Sequence, residues 1–463
     1  MSAIYIFTRD LRINDNTCFL KCCSNNNIIY PIFIFTHEQT NSKLNKFKSA
    51  NAIQFMIESL IDLNLKLKNK LTCIHDKLYN AFNNIIIFCK NNNCKSIYIT
   101  KDYTLFAHKR EQYLKQICIK NNIQLNIFED YCLYYPNSIL TGNGQPYQKF
   151  TPYKNACIKS GDPKKVNNKI VKNPMNCINN IPNKIHISKA MQILLKQNES
   201  VQDKANTHGG RNNALDILKS IYKFKDYDKT RDMLDENTTH LSAYIKFGCV
   251  SIREVYWKVR NNFGINHGII SQLLWRDFYY QLGYAFKKVL NGKSLKDKYD
   301  KIIWNNNKSN INAWKKGKTG YPIVDASMRQ LNQTGYMHNR GRLIVASFLV
   351  KILLIDWRIG EKYFAQKLLD YDPLVNNGNW QWISGSGADS QPYFRIFNPF
   401  LQAKRFDTNN IYIKKWVNEL TDIEYADFLK KWDKKLKPSK YSDFIINYVN
   451  AKQKVIKAYK KIV

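Results

Sequence analysis

The stretch between residues 335 and 400 holds the densest group of side chains that could bind or transform a ligand. Two carboxylates, two amides and two indoles fall within thirteen residues: Asp370, Asp372, Asn376, Asn377, Trp380 and Trp382. Acidic and amide side chains are mostly exposed, so their crowding beside indoles is unusual for an ordinary core. Such a group could hold a ligand by hydrogen bonds between aromatic walls, or it could be a capped loop anchored by two tryptophans. The residues alone favour neither interpretation.

The elements before this group begin with an alternation of strands and helices over residues 1–130. The strand candidates are AIYIF (3–7), IIYPIFIF (28–35), LTCIH (71–75), SIYIT (96–100) and QLNIF (124–128). Amphipathic helical patterns separate them, and this alternation predicts an α/β domain with a parallel, doubly wound sheet. No G-x-G-x-x-G follows the first strand, so the dinucleotide-binding fingerprint is absent.

The rest of the chain predicts a helical domain that is reached through a long connection. Residues 131–205 lack clear periodicity and are rich in Asn, Lys, Pro and Gly, which is typical of a partly ordered interdomain linker. Over 206–463 helical periodicity dominates, and all nine tryptophans lie beyond residue 250. We therefore expect an α/β domain over 1–130 and an all-α domain over 206–463, and we expect the latter to hold the site.

The composition favours an intracellular protein with a polyanionic partner. Lys and Arg total 72 against 36 Asp and Glu, and the formal net charge of +36 favours capture of nucleic acid. Codon bias is the other source of this charge, because the chain is also rich in Asn and Ile. No apolar run could span a bilayer, the N-terminus has no signal-peptide pattern, and the eleven cysteines lack zinc-ligand spacing. We expect a soluble protein that is not secreted, with reduced cysteines and no metal.

Several long motifs together resemble the photolyase/cryptochrome family, most closely the class I photolyases that repair cyclobutane pyrimidine dimers. They are YIFTRDLRINDNT (5–17), LTGNGQPYQKFTPYKNA (140–156), YDKTRDMLDENTTHLSAYIKFG (227–248), QLLWRDFYYQLGYAF (272–286), WKKGKTGYPIVDASMRQL (314–331) and the 335–400 block. The resemblance covers essentially the whole chain. It implies a carbon–carbon lyase that binds UV-damaged DNA, flips out the dimer and splits it by electron transfer from photoexcited reduced FAD.

The resemblance implies FAD bound within the helical domain. The positions that match FAD contacts are Tyr227, Thr238, Thr239, His240, Leu241, Ser242, Arg276, Asn339, Arg342, Asp370, Asp372 and Asn376. Hydroxyls and free N–H groups of the 238–242 run would suit a pyrophosphate, although an ordinary helix N-cap has the same composition. Arg342 and Asp370 match a buried pair beside the flavin ring, and Asp372 matches a contact to its polar edge.

The resemblance also implies an electron relay and a flavin-tuning amide. Trp380, Trp357 and Trp304 match the tryptophans that re-reduce photo-oxidised flavin from the surface, whereas each alone would be a packing residue. Asn376 matches the position that faces flavin N5. Photolyases of this type carry Asn there and plant-type cryptochromes carry Asp, and an amide cannot supply a proton as a carboxylic acid can.

The positions that match contacts to the lesion and the DNA line up with the same motifs. They are Gln272, Trp275, Tyr279, Asn339, Arg340, Leu343, Trp382, Arg395 and Lys404. Trp275 and Trp382 match the aromatic walls of the lesion pocket. Arg340, Arg395 and Lys404 match phosphate contacts.

Two of these positions depart from the class I pattern and bear on the substrate. Gln272 stands where those enzymes usually carry Glu, and Leu343 stands where they usually carry Met. A Gln at this position resembles the 6-4 photolyases and the animal cryptochromes. However, 6-4 repair needs two proton-donating histidines, and those positions are Asn339 and Leu343 here. We therefore expect a cyclobutane dimer, with a 6-4 photolyase as one alternative.

A light-sensing cryptochrome is the other alternative, and the antenna stays open. The cryptochrome would favour a long C-terminal extension and Asp at position 376, where this chain has Asn376. The segment DYTLFAHKREQ (102–112) lacks the Asn-Glu pair that binds folate in some relatives, so neither a folate nor a deazaflavin antenna can be assigned. No cysteine follows Cys249, which excludes the iron–sulfur branch of the family. We expect a monomer whose partner is UV-damaged DNA.

Overall fold

A parallel sheet is the centre of the N-terminal part of the computed structural model, which describes residues 1–166, 173–195, 207–422 and 440–462. The strands within these ranges are β1 (Ser2–Phe7), β2 (Ile28–Thr36), β3 (Thr72–Asp76), β4 (Cys94–Thr100), β5 (Gln124–Phe128) and β6 (Lys184–Ile185). They are ordered β5-β4-β1-β2-β3-β6, and β6 alone among them pairs antiparallel, with β3. The expected α/β class with its parallel sheet is confirmed, with this short edge strand as an addition.

Both faces of the sheet are buried, which explains why its strands are nearly continuous apolar runs. On one face Ile4 and Ile6 of β1 join a cluster with helices of the same domain. On the other face Tyr5 and Phe7 join a cluster that continues into the helical part through residues such as Phe247. The sheet is therefore packed directly against the helices that form the site.

Helices flank the sheet and continue into the segment that follows it. They are α1 (Thr17–Asn25), α2 (His37–Thr40), α3 (Ala50–Lys66), α4 (Leu78–Asn91), α5 (Leu105–Lys120), α6 (Phe150–Lys159) and α7 (Ala190–Leu194). Helix α6 buries Phe150, Tyr153 and Cys157 against the helical part. All eleven cysteines of the chain are free.

The C-terminal part is helical, as expected. Its α-helices within the described ranges are α8 (Arg211–Lys219), α9 (Tyr227–Thr230), α10 (Ser242–Phe247), α11 (Ile252–Phe263), α12 (Gly268–Ala285), α13 (Lys308–Lys316), α14 (Pro322–Thr334), α15 (Asn339–Lys351), α16 (Trp357–Lys367), α17 (Pro373–Ser384), α18 (Pro399–Phe406), α19 (Ile411–Trp416) and α20 (Tyr448–Lys460). A second large cluster of buried side chains forms the core of this part. Within the described ranges, none of the helices combines the length and the apolar character that spanning a bilayer requires.

Buried ion pairs connect the two parts at the carboxyl edge of the sheet. Arg12 pairs with Asp130, and Arg253 of α11 pairs with Asp15 at 2.5 Å and with Asp130 at 2.8 Å. Arg9, directly after β1, donates to Asp372 at 2.8 Å. Because the desolvation of each charge is offset only while its partner is present, these pairs define how α11 and α17 sit on the sheet.

Candidate active site

A cavity of about 510 Å³ lies between α10, α12, α15 and α17. Every position matched to FAD lines it. Seven of the nine positions matched to lesion or DNA contacts line it as well: Gln272, Trp275, Tyr279, Asn339, Arg340, Leu343 and Trp382. Trp380 also lines it, whereas Trp304, Trp357, Arg395 and Lys404 do not. The fold thus gathers residues from 227 to 383 around one space, although their individual roles stay predictions.

The floor of the cavity holds an ion pair with an unused acceptor. Arg342 of α15 donates to Asp370 Oδ2 at 2.9 Å, and the Ser242 hydroxyl donates to the same oxygen at 2.7 Å. The other oxygen, Asp370 Oδ1, is buried without a hydrogen-bond partner in the structure. A buried acceptor of this kind costs about 1–3 kcal/mol if left unpaired, so it suits a ligand N–H or O–H in the cavity. The residues present therefore fit a polar ring system such as a flavin.

The run 238–242 is arranged differently from a simple helix cap. Helix α10 begins at Ser242, and Leu241 at the N-cap position makes no side-chain cap bond. The hydroxyls of Thr238 and Tyr336 are 3.0 Å apart. His240 adopts a positive φ of 53° and stacks on Tyr336 with ring centroids 4.2 Å apart. Burial lowers the pKa of His240 below its ordinary value, so the ring is neutral at pH 7 and contributes little positive charge to the cavity.

Asp372 is held by the N-terminal domain instead of standing free for a ligand. Its Oδ2 accepts from Arg9 at 2.8 Å and from the Tyr280 hydroxyl at 2.5 Å. Its Oδ1 caps α17 by accepting from the N–H of Leu374 at 3.0 Å. Burial opposes ionisation, but the charges of Arg9 and Arg276 hold the pKa of Asp372 below its ordinary value. Asp372 thus supplies a permanent negative charge at the cavity wall, whereas its expected contact to a flavin edge stays a prediction.

The side-chain amide of Asn376 has a defined orientation. Its Nδ2 donates to the backbone oxygen of Glu361 at 3.1 Å, which leaves Oδ1 to accept from a bound group. The neighbouring Asn377 donates to Glu361 Oε1 at 2.9 Å and is itself bonded by Gln381. Burial raises the pKa of Glu361 to about 7. This amide network was not expected from the sequence, and it makes Asn376 an acceptor toward the cavity.

The expected lesion wall is an aromatic stack. Trp275 of α12 stacks on Phe150 of α6, with ring centroids 3.9 Å apart and planes inclined by 10°. Tyr279, one turn later, lies 5.6 Å from the Trp275 ring. Phe150 does not line the cavity, so it supports the indole from behind. Gln272, one turn before, lines the same wall and is half-buried.

The three expected phosphate contacts differ in how available they are. Arg340 pairs with Asp232 at 2.8 Å and lies over the Phe406 ring, so its side chain is only 16% exposed. Arg395 and Lys404 are exposed and lie outside the cavity lining, on the loop 391–398 and on α18. Arg395 and Lys404 can therefore reach a polyanion directly, whereas Arg340 would first have to leave Asp232.

The three expected relay tryptophans lie in one hydrophobic cluster or at its edge. Trp380 lines the cavity and is 2% exposed, Trp357 is buried in the same hydrophobic cluster, and Trp304 is half-buried at the edge of that cluster. The ring centroid of Trp380 lies 5.0 Å from that of Phe364 and 6.4 Å from that of Trp314. Trp314 is the first residue of the motif 314–331, but the sequence predicts no role for it. The sequence does not show which side chains a single tryptophan will contact in the fold.

A second cavity of about 380 Å³ lies at the carboxyl edge of the sheet. Its walls combine apolar residues such as Phe33 and Met56 with the charged groups of Arg9 and Asp102. Lys246 and Tyr371 line both cavities, so they form the partition between them. Burial, with the like charge of Arg9, lowers the pKa of Lys246 to about 7. None of these residues was a candidate from the sequence, since the contacts join positions far apart in the chain.

Comparison with known proteins identifies the family that shares these features. Residues 3–170 match the model of the DNA photolyase domain, and residues 269–461 match the model of the FAD binding domain of DNA photolyase. A deoxyribodipyrimidine photo-lyase of Buchnera aphidicola subsp. Baizongia pistaciae is 35% identical over 98% of this chain and 97% of its own.

Solved structures agree with the sequence relatives. An archaeal photolyase from Sulfolobus tokodaii, described with two FAD molecules and a novel light-harvesting cofactor, has a TM-score of 0.87 and 34% identity over the full length of both chains. A cryptochrome from Synechocystis shares the fold, with a TM-score of 0.86 at 23% identity over 99% of both chains. Because the match at 35% identity extends over nearly the whole of both chains, this chain belongs to the DNA photolyase family.

Proposed function

We propose that this protein repairs UV-damaged DNA by splitting cyclobutane pyrimidine dimers under blue light, with FAD as its cofactor. The observation that carries the proposal is the 510 Å³ cavity, which places a polar floor around Asp370 next to an aromatic wall around Trp275. One part suits a flavin and the other suits a flipped-out pyrimidine dimer. The relatives that are named deoxyribodipyrimidine photo-lyases support the same substrate.

The floor of the cavity would hold FAD. Asp370 Oδ1 would accept a hydrogen bond from the ring, and the ion pair with Arg342 holds that carboxylate in place. Asn376 would accept through Oδ1, because Nδ2 is engaged by Glu361. When bound, reduced FAD supplies the light-activated electron that splits the dimer. The residues around it exclude water and fix its orientation.

The aromatic wall would hold the damaged bases. Trp275, supported by Phe150, offers a flat apolar surface, and stacking on such surfaces is worth about 1–3 kcal/mol per base. Gln272 offers an acceptor and a donor to the polar edges of the pyrimidines. The exposed Arg395 and Lys404 would bind phosphates on either side and position the strand.

We also propose that the second cavity binds a light-harvesting chromophore. Its apolar walls and its charged groups at the carboxyl edge of a parallel sheet are typical of a nucleotide-like ligand site. The Sulfolobus tokodaii relative, described with two FAD molecules, supports this assignment. We propose further that the protein acts as a monomer in the cell compartment that contains DNA.

The proposed function is tested by cofactor binding and light dependence together. Purified protein should retain FAD after gel filtration, at one or two equivalents by absorbance of the released flavin. It should restore UV-irradiated plasmid DNA under blue light and not in the dark. Folded protein that binds no flavin on reconstitution would refute the proposal.

A further inference from the structure

Lys351 is a buried lysine without an acidic partner, and it lies beneath the loop 391–398. Lys351 is the last residue of α15 and is 1% exposed. It makes no ion pair with any residue that the structure describes; its Nζ donates to the backbone oxygens of Pro392 and Arg395, at 3.2 Å each. A buried ammonium with only neutral acceptors is costly, so its presence calls for a compensating role.

The two acceptors belong to the loop 391–398, between α17 and α18. One turn earlier on α15, the Ser347 hydroxyl accepts from the N–H of Phe397 at 3.4 Å. Side chains of α15 therefore bind backbone atoms of the loop. Two loop side chains are exposed instead: Phe394 is 62% exposed, and Arg395 is also exposed. The opposite end of α15 carries Asn339, Arg340 and Leu343 of the cavity wall, so one rigid helix joins cavity and loop.

The charge of Lys351 is linked to the charge of Arg395. Burial, and next the like charge of Arg395, lower the pKa of Lys351 to about 7. Among the residues that the structure describes, Arg395 is the charged side chain whose repulsion lowers the pKa of Lys351. An anion bound to Arg395 would cancel this repulsion and favour the protonated lysine.

We propose that Lys351 is a positioning residue for DNA binding, which holds the loop 391–398 in place and takes up a proton when a DNA phosphate binds Arg395. The proposal rests on the phosphate contact of Arg395 within the proposed function. Lys351 itself does not touch the DNA. Its effect reaches the DNA through the backbone of Pro392 and Arg395 and through the charge beside them.

The proposal gives DNA affinity a defined pH dependence. Free protein has Lys351 half-protonated near pH 7, and bound protein has it protonated to a higher pH because its pKa is raised in the complex. Below pH 6 both forms are protonated, so affinity is constant. Above about pH 7 binding requires proton uptake, and affinity falls by up to about tenfold per pH unit until the pKa of the bound form is passed.

The test measures affinity for a dimer-containing oligonucleotide by fluorescence anisotropy from pH 6 to pH 9. Four proteins are compared: the unmodified protein, Lys351→Gln, Arg395→Ala and the control Lys66→Met. Lys66 is also the last residue of its helix, α3, but is exposed and remote from the cavity. Unmodified protein and control should weaken above pH 7. Lys351→Gln keeps an N–H donor without the charge, so its affinity should be weaker at pH 6 and lose this pH dependence.

Arg395→Ala supplies a variant that does not disturb the interior. It removes both the repulsion and the phosphate contact beside Lys351, so the pKa of Lys351 should be the same in free and bound protein, and the pH dependence above 7 should disappear. Calorimetry in two buffers with different ionisation enthalpies should detect proton uptake at pH 7.5 by the unmodified protein and none by Arg395→Ala. This measurement tests whether DNA binding is coupled to proton uptake even if Lys351→Gln fails to fold.

Two different failures can be told apart. If the unmodified protein does not bind the oligonucleotide at any pH, the proposed function is wrong and the linkage falls with it. If it binds, but without proton uptake or with a pH profile that Arg395→Ala or a folded Lys351→Gln retains, the proposed function stands and the role of Lys351 is refuted.

Discussion

Gln272 is the residue of the cavity wall whose type bears most directly on the lesion. It lies on α12 one turn before Trp275, so it faces the same space as the aromatic stack. A thymine dimer brings imide N–H groups and carbonyl oxygens into this space, and each needs a partner once it is buried. The side-chain carbonyl of Gln can accept from an imide, and its amide can donate to an oxygen.

Replacing Gln272 separates these contributions. Gln272→Glu provides a charge-assisted acceptor and should preserve or improve dimer repair. Gln272→Leu leaves the imide edge unpaired, which costs about 1–3 kcal/mol, so affinity for a dimer-containing oligonucleotide should fall about tenfold. Affinity is measured by anisotropy against the same undamaged sequence. An unchanged affinity for Gln272→Leu would show that the side chain does not contact the lesion.

Trp380 is the point at which electrons from the surface would reach the cavity. Trp380→Phe should block photoreduction of oxidised FAD in the presence of a reductant, because Phe is much harder to oxidise, while flavin stays bound. Flavin absorbance under illumination measures the rate. Trp257→Phe, on α11 outside the cavity lining, is the matched control and should photoreduce normally. A normal rate in Trp380→Phe would mean that electrons take another path, and Trp314 at 6.4 Å from Trp380 would then be the next residue to replace.

At the scale of elements, buried ion pairs determine how the helical part sits on the sheet. Asp130 follows β5 and lies between Arg12 and Arg253. Burial alone would raise its pKa, but the two guanidinium charges hold the pKa of Asp130 below its ordinary value. Because the folded pKa is the lower one, the stabilisation is fully present above the unfolded value of about 3.9 and is lost as pH falls through the folded value.

Asp130→Asn should therefore destabilise the protein at neutral pH. Removing one partner of a buried pair costs about 3–5 kcal/mol, to be read as a lower urea midpoint at pH 7. Below about pH 4 the difference from unmodified protein should begin to shrink, since Asp130 of the unfolded chain becomes protonated there, and it should be lost as pH falls through the lower pKa of the folded protein. Asp216→Asn removes an exposed pair with Lys219 and should change little. A midpoint shift in Asp130→Asn no larger than in Asp216→Asn would contradict this role.

Strands and helices were predictable where their hydrophobic residues follow one clear pattern along the chain. The five strand candidates correspond to β1–β5 because both faces of that sheet are buried, which makes each strand an apolar run between polar turns. The edge strand β6 has two residues, too few to show a period. Helix α17 has several polar residues on its buried side, which hides its period, although Asp372 before Pro373 is a recognisable start signal.

The site was predictable only as far as the motifs reach. Resemblance selected the residues that line the cavity, but it could not show their partners. Arg9 and Asp372 are 363 residues apart and meet only because β1 ends beside α17. The support of Trp275 by Phe150 likewise depends on how α6 packs on α12. Such pairings are set by tertiary packing, which no single-sequence pattern contains.

At the scale of the whole molecule, the formal charge of +36 favours a nucleic-acid partner and raises the encounter rate at low salt. Only charges close to the phosphates release counterions on binding. The structure distinguishes the two arginines of interest, since Arg395 is exposed and Arg340 is paired with Asp232.

Salt dependence therefore measures which arginines bind phosphate. Affinity for undamaged duplex DNA should fall with salt, with a log–log slope of about −0.9 for each phosphate neutralised. Arg395→Ala should flatten the slope by about one such contact, whereas Arg340→Ala should flatten it less unless Asp232 releases the side chain. Equal slopes for unmodified protein and Arg395→Ala would mean that the exposed arginine makes no phosphate contact.

The central claim is that the cavity repairs a cyclobutane dimer and not a 6-4 photoproduct. Asn339 and Leu343, the positions expected from the resemblance to match the proton-donating histidines of 6-4 repair, both line the cavity. The adjacent His338 is engaged through Nδ1 by the N–H of Arg340, and burial lowers its pKa to about 4, so it is neutral at pH 7.

The most direct test is restoration of two defined oligonucleotides by the FAD-loaded protein, one with each lesion, resolved by chromatography after blue light or darkness. We expect the dimer to be restored in the light only and the 6-4 lesion to be left unchanged. Light-dependent restoration of the 6-4 lesion without the dimer, or of neither lesion, would contradict it.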